Sequence, residues 1–199
     1  MEGIEIVTEM SAGPRDIHMR GVVLGLAPQL FEIQYAKRRY TIAIPPTAML
    51  VPFALCSDYN GNQRFRPYAP WAFCATRDYE NISPLRMPNL FKNGQVCMHV
   101  TSPPLREDEL QSAAVKTTLD FFGSPFNSGM QYRRGEVLPG IEGGSWSRTL
   151  EKWERRTRDY GIEGAAVFNW LDPAVTTQLR TTVRTFLEGQ LGLARAMRI

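Results

Sequence analysis

A chain of 199 residues with 43% hydrophobic and 22% charged content can bury the core of one folded domain, which excludes a disordered or low-complexity polypeptide. Its net charge of +3, from 23 basic and 20 acidic residues, is too small to mark a nucleic-acid-binding protein. No apolar run approaches the roughly 20 residues that a membrane span requires, so neither nucleic acid nor membrane is expected as a partner.

The first ten residues carry Glu2, Glu5 and Glu9 and no Lys or Arg, the reverse of a basic signal-peptide start. The three cysteines, Cys56, Cys74 and Cys97, form no Cys-x-x-Cys pair, and only His18 and His99 could join them. This argues against a structural metal site, and no cofactor is expected. An odd cysteine count without a secretion signal fits the reducing cytoplasm, where a thiol stays free. Basic residues gather at Lys37-Arg38-Arg39, Arg133-Arg134, Arg155-Arg156 and Arg158, and along the last helix. Each cluster reads as a solvated face or as a site for an acidic partner.

In chain order, Ile4 to Val7 and Val22 to Leu26 are short apolar stretches separated by Gly13-Pro14. Phe31, Ile33 and Tyr35 alternate with polar residues, as do Tyr40, Ile42 and Ile44. With the connector Ala36 to Arg39 they predict a β-hairpin with one buried face. Pro45-Pro46 ends it, and Met49 to Cys56 has the length of a buried strand. The aromatic-proline stretch from Pro67 to Phe73 and the segment Asn81 to Asn89 read as irregular chain held over a core.

Glu107 to Phe122 predicts a helix, opened by acids that suit the positive end of its dipole and packed through Leu110, Ala114, Thr117 and Phe121. Gly129 to Gly144 reads as a surface loop. Ser147 is placed as the cap of a further helix, and Ala165 to Trp170 as a short strand or buried extended segment. Asp172-Pro173 is placed at the start of a last helix in which Val175, Leu179, Val183, Leu187 and Leu191 recur every four residues. Strands first and helices after predict an α+β fold, an antiparallel sheet of about four strands packed with helices and closed by a C-terminal helix.

The stretch Met87 to Met98 stands out. Pro88-Asn89 and Asn93-Gly94 are turn signals, so the chain reverses just before Gln95-Val96-Cys97. A lone cysteine is ordinarily a small buried hydrophobe; one framed by two turns is also a candidate nucleophile.

This stretch resembles the active-site segment of ubiquitin-conjugating enzymes, which carries His-Pro-Asn, a glycine and then the catalytic cysteine. Pro88-Asn89, Gly94 and Cys97 match it, with the family's interval of eight residues from Asn89 to Cys97. Met87 stands where the family has histidine. Phe121-Phe122-Gly123-Ser124-Pro125-Phe126-Asn127 and Trp153 with Phe168-Asn169-Trp170 look like the divergent bacterial branch, of the type of PRTRC system protein B and related bacterial conjugation operons. The resemblance implies one UBC-like domain over 1–199, with an N-terminal extension (1–28), a catalytic core (29–135) and a C-terminal helical part (136–199). It implies an acyl transferase that carries a ubiquitin-like protein as a thioester on Cys97 and passes it to a target protein with a free amine. The partners implied are that ubiquitin-like protein, a ThiF-like activating enzyme and a JAB-type peptidase of the same pathway.

By family position Asn89 would donate its amide to the oxyanion, or serve as a turn residue alone. Asn127 and Ser128 fall where the family positions the incoming amine, although neither is a carboxylate. His99, two residues beyond Cys97, would share its side of a strand and is an accessory candidate as a base, or a plain surface histidine. The alternatives are a catalytically inactive UBC-like binding module and a cysteine hydrolase pairing Cys97 with His18 or His99.

Overall fold

In the computed structural model the described residues are 4–13, 18–57, 60–91, 93–98, 103–126, 145–167, 170–171 and 173–196. Among these described residues nine strands are formed: β1 (Ile4–Ala12), β2 (Met19–Leu26), β3 (Gln29–Tyr35), β4 (Arg38–Ile44), β5 (Thr47–Ser57), β6 (Gln63–Pro67), β7 (Trp71–Ala75), β8 (Asn81–Pro84) and β9 (Thr177–Gln178). The α-helices among the described residues are α1 (Leu110–Gly123), α2 (Trp146–Tyr160) and α3 (Leu179–Ala196). The fold is α+β with a C-terminal helix.

The main sheet is antiparallel and curled, in the order β1-β2-β5-β7-β8-β9, with β6 pairing the far end of β5. The hairpin β3-β4 stands apart as a second, two-stranded sheet. The expectation of about four strands is therefore corrected to seven plus two. The missed strands β6, β7, β8 and β9 have five, five, four and two residues. Runs that short show no alternation of their own; partners distant in sequence fix them, as when Met49 of β5 pairs Ala72 of β7. Residues 1–28, set apart by the family resemblance, supply β1 and β2, and β2 pairs with β5 along its full length.

From Gly21 to Leu26 β2 is buried on both faces, which is why that stretch reads as an unbroken apolar run. Val22, Leu24 and Leu26 face the side occupied by the hairpin, α1 and α2, where Phe31, Phe121, Phe122, Leu150 and Trp153 pack. Met19 and Val23 face α3, whose Leu179, Val183, Leu187 and Leu191 are buried against Ala48, Leu50 and Phe73. Burying each of those α3 side chains contributes roughly 1.5–3 kcal/mol.

Three boundaries differ from expectation. Helix α2 starts after Ser145, whose carbonyl accepts Thr149 N at 3.1 Å, so Ser147 lies inside the first turn. Ala165 belongs to a 3₁₀ segment, Gly161–Val167, rather than to a strand. Helix α3 starts at Leu179, not at Pro173: Thr177 and Gln178 first pair with β8, Leu179 N donates to Glu80 O, and Val175 is exposed outside the apolar repeat. The helix at Glu107 opens as a 3₁₀ turn in which the Glu109 carboxylate accepts Arg106 N at 2.7 Å, and the predicted face Leu110, Ala114, Thr117 and Phe121 is buried. The loop expected over Gly129 to Gly144 lies outside the described residues.

Candidate active site

The cysteine loop is built from two successive turns. Leu90 N donates to Met87 O at 3.3 Å, with Pro88 and Asn89 between them and Asn89 at φ 63. Proline followed by a left-handed residue is the arrangement of a type II turn, and asparagine tolerates that conformation better than other side-chain-bearing residues. The second turn closes with Gly94 N donating to Phe91 O at 2.8 Å, while Asn93 Oδ1 accepts Gln95 N. Gly94 has φ 90, and a Cβ there would stand 2.7 Å from the Ala72 carbonyl, so glycine is required twice over. Leu90 and Val96 bridge between the two turns and are both buried.

This small hairpin is anchored to the sheet. Val96 N donates to Pro70 O and Ala72 N to Gly94 O, at 2.8 and 2.9 Å, which binds the loop along the start of β7. Cys97 N donates to Asn89 O at 2.8 Å, so the residue proposed from spacing and the cysteine are joined directly through their backbones. Asn89 is 8% exposed, and its Nδ2 donates to Pro125 O at 3.3 Å, tying the loop to the end of α1. Met87 is fully buried in the main core, where a thioether fills space that a histidine would need to satisfy with hydrogen bonds.

The three thiols differ sharply. Cys97 is exposed, Cys56 is half-buried and Cys74 is buried. Burial pushes the Cys74 thiol up to about 12, Arg86 opposing this only in part. Cys74 is thus inert near neutral pH, whereas Cys97 stands in solvent on a loop held by buried neighbours. The placement of Cys74 in the core agrees with its apolar sequence surroundings.

Of the remaining candidates, His99, Asn127 and Ser128 lie outside the described residues. His18 packs edge-on against Phe65, with ring centroids 5.7 Å apart, and its carbonyl accepts Leu55 N. Pro125, the carbonyl partner of Asn89, carried no sequence signal beyond its Ser-Pro context. Among the described residues no group of three His, Cys, Asp or Glu side chains is placed to hold a metal ion. Among the described residues no helix is long and apolar enough to cross a membrane. A cavity of about 430 Å³ between β1, the β7-β8 turn and the start of α3 is lined by none of the cysteine-loop residues. In comparisons with known proteins, no family model, curated protein or solved structure matches the chain.

Proposed function

We propose that the chain is a ubiquitin-conjugating-like enzyme of the bacterial branch, working in the cytoplasm, which carries a ubiquitin-like protein as a thioester on Cys97 and transfers it to a target amine. The observation that carries this reading is the exposed Cys97 whose backbone is clamped to Asn89 eight residues earlier. The thiolate is the nucleophile in exchange between thioesters, and an exposed cysteine is intrinsically reactive enough for that step. The Cys97 thiolate attacks the thioester carbonyl delivered by a ThiF-like activating enzyme, and the activating enzyme's sulfur leaves. An amine then attacks the new thioester, and Cys97 departs as the amide forms. A JAB-type peptidase would reverse the conjugation.

Asn89 serves this scheme first by position: its left-handed turn and its bond to Pro125 fix the ground on which Cys97 stands. An oxyanion contact would be a second role, and removing such a donor typically costs about 10²–10³ in rate. Asn89→Gly keeps the left-handed turn but removes the amide together with its bond to Pro125 O, so it separates the contribution of the turn from that of the amide. Loss of transfer in a variant that still accepts the thioester would assign the amide, not the turn, to the transfer step.

Incubation with the ubiquitin-like protein, its activating enzyme and ATP should give an adduct that thiols cleave. Cys97→Ser should trap a thiol-resistant ester, and Cys97→Ala should give none. An adduct persisting in Cys97→Ala would refute the enzyme. If Cys97 were labelled by a thiol reagent no faster than Cys56, the inactive binding module would be the better reading.

A further inference from the structure

The turn between β3 and β4 is only Ala36-Lys37, and both residues lie in the left-handed region, at φ 47 and 67. Such a two-residue turn favours Asn-Gly, since Ala and Lys each pay for a clash of Cβ with the backbone. The turn presents the run Lys37-Arg38-Arg39 to solvent.

Across from it lies the first half of α2. Arg38 bonds Glu151 and Glu154 at 2.7 and 3.2 Å, and Arg39 bonds Glu32 at 3.2 Å. These pairs engage Glu151, Glu154 and Glu32. Lys37, Arg148 and Arg155 remain exposed with no carboxylate partner among the described residues. Arg148 and Arg155 flank Glu151 at the i−3 and i+4 positions, on the same side of α2 as the turn.

This face is tied to the cysteine loop by consecutive hydrogen bonds. Gln34 O, beside the turn, accepts Phe126 N at 2.7 Å; Pro125 O accepts Asn89 Nδ2 at 3.3 Å; Asn89 O accepts Cys97 N at 2.8 Å.

We infer that the Lys37 turn and the Arg148–Arg155 side of α2 form a docking surface for an acidic face of the protein that delivers its acyl group to Cys97. The inference rests on the proposed thioester chemistry and adds to it the charge of the partner. A folded protein surface fits better than a nucleic acid. Glu32, Glu151 and Glu154 are interleaved with the cations and would oppose a uniform polyanion, and three surplus cations fall short of the roughly 6–10 phosphate contacts of a typical nucleic-acid site. Exposed charges of this kind act mainly on the association rate.

The test uses two peptide thioesters with the same leaving thiol, a short neutral one ending in Gly-Gly and a longer one rich in Asp and Glu with the same end. In each reaction a bond forms between the acyl carbon and Cys97 Sγ and the original carbon–sulfur bond breaks. The leaving thiolate takes up a proton equivalent to the one Cys97 lost. The acidic thioester should acylate Cys97 about tenfold faster at low salt, and the advantage should vanish near 1 M salt, where charges are screened beyond about 3 Å. The triple variant Lys37→Glu, Arg148→Glu, Arg155→Glu should lose the advantage, react normally with the neutral thioester, and prefer a Lys-rich thioester instead. Equal wild-type rates with the neutral and acidic thioesters, an unchanged preference in the variant, or tighter binding of an oligonucleotide than of the acidic peptide would overturn the docking surface. Failure of both thioesters to acylate Cys97 would instead overturn the thioester chemistry, and the docking inference with it.

Discussion

Cys74 lies on β7 with 1% exposure, and its thiol is pushed up to about 12 chiefly by burial. In the unfolded chain the same thiol ionises near its ordinary 9.0. The folded state therefore holds a proton that the unfolded state releases, and stability falls as pH rises from about 9 toward 12. The slope from this one group is about 1.4 kcal/mol for each pH unit in that window. Tyr79, also raised by burial and secondarily by Glu5, adds a further loss above its own ordinary value of 10.0. Denaturant melts of the protein and of Cys74→Ala at pH 8, 9, 10 and 11 isolate the cysteine: the variant should start lower and show the shallower decline. Parallel curves would mean that Cys74 titrates normally in the fold. At this scale the sequence was most informative where turn chemistry is local. Pro88-Asn89 and Asn93-Gly94 announce the two reversals that precede Cys97, because the left-handed conformations at Asn89 and Gly94 are properties of single residues. The carbonyl of Pro125 that receives the Asn89 amide was invisible, since nothing local encodes a contact across 36 residues.

Helix α2 relates to the β3-β4 hairpin as a third strand would. Thr157 Oγ1 accepts Ala43 N at 2.9 Å, Trp153 Nε1 donates to Ala43 O at 2.8 Å, and the Glu154 carboxylate accepts Thr41 N at 3.1 Å. The outward edge of β4 is thus satisfied by side chains instead of by a ladder, which also protects it from pairing with another chain. Thr157 is 5% exposed and Trp153 fully buried, so these bonds are shielded from water. Thr157→Val keeps the shape and removes the acceptor, leaving the Ala43 N–H buried without a partner. The expected cost is about 1–3 kcal/mol, measured as a lower denaturation midpoint at unchanged m-value. A change within experimental error would show that water reaches Ala43. The sequence revealed both elements by their periodicity, alternation in the hairpin and the Leu150–Trp153 spacing in the helix. It did not reveal that they meet, because a threonine in a helix interior has the same pattern whether it faces solvent or caps a strand.

The whole molecule is layered around one curled sheet, with α3 on one face and the hairpin, α1 and α2 on the other. Its α+β class and the C-terminal helix were readable from the order of strong periodic segments. The number of strands was not, because β6 to β9 are two to five residues long and owe their existence to neighbours brought in by the fold. The α2 edge cover has a consequence for motion. Amide protons of β3-β4 residues bonded within the hairpin exchange with solvent only when its two strands separate, whereas those of Thr41 and Ala43 are released whenever α2 lifts away. Native-state hydrogen exchange should therefore show Thr41 and Ala43 following the helix in their protection, and Thr157→Val should strip protection from Ala43 while sparing the β3-β4 ladder. If both amides track the ladder instead, α2 and the hairpin open as one unit. Two backbone protons thus report when the Arg148–Arg155 face of the molecule is in place.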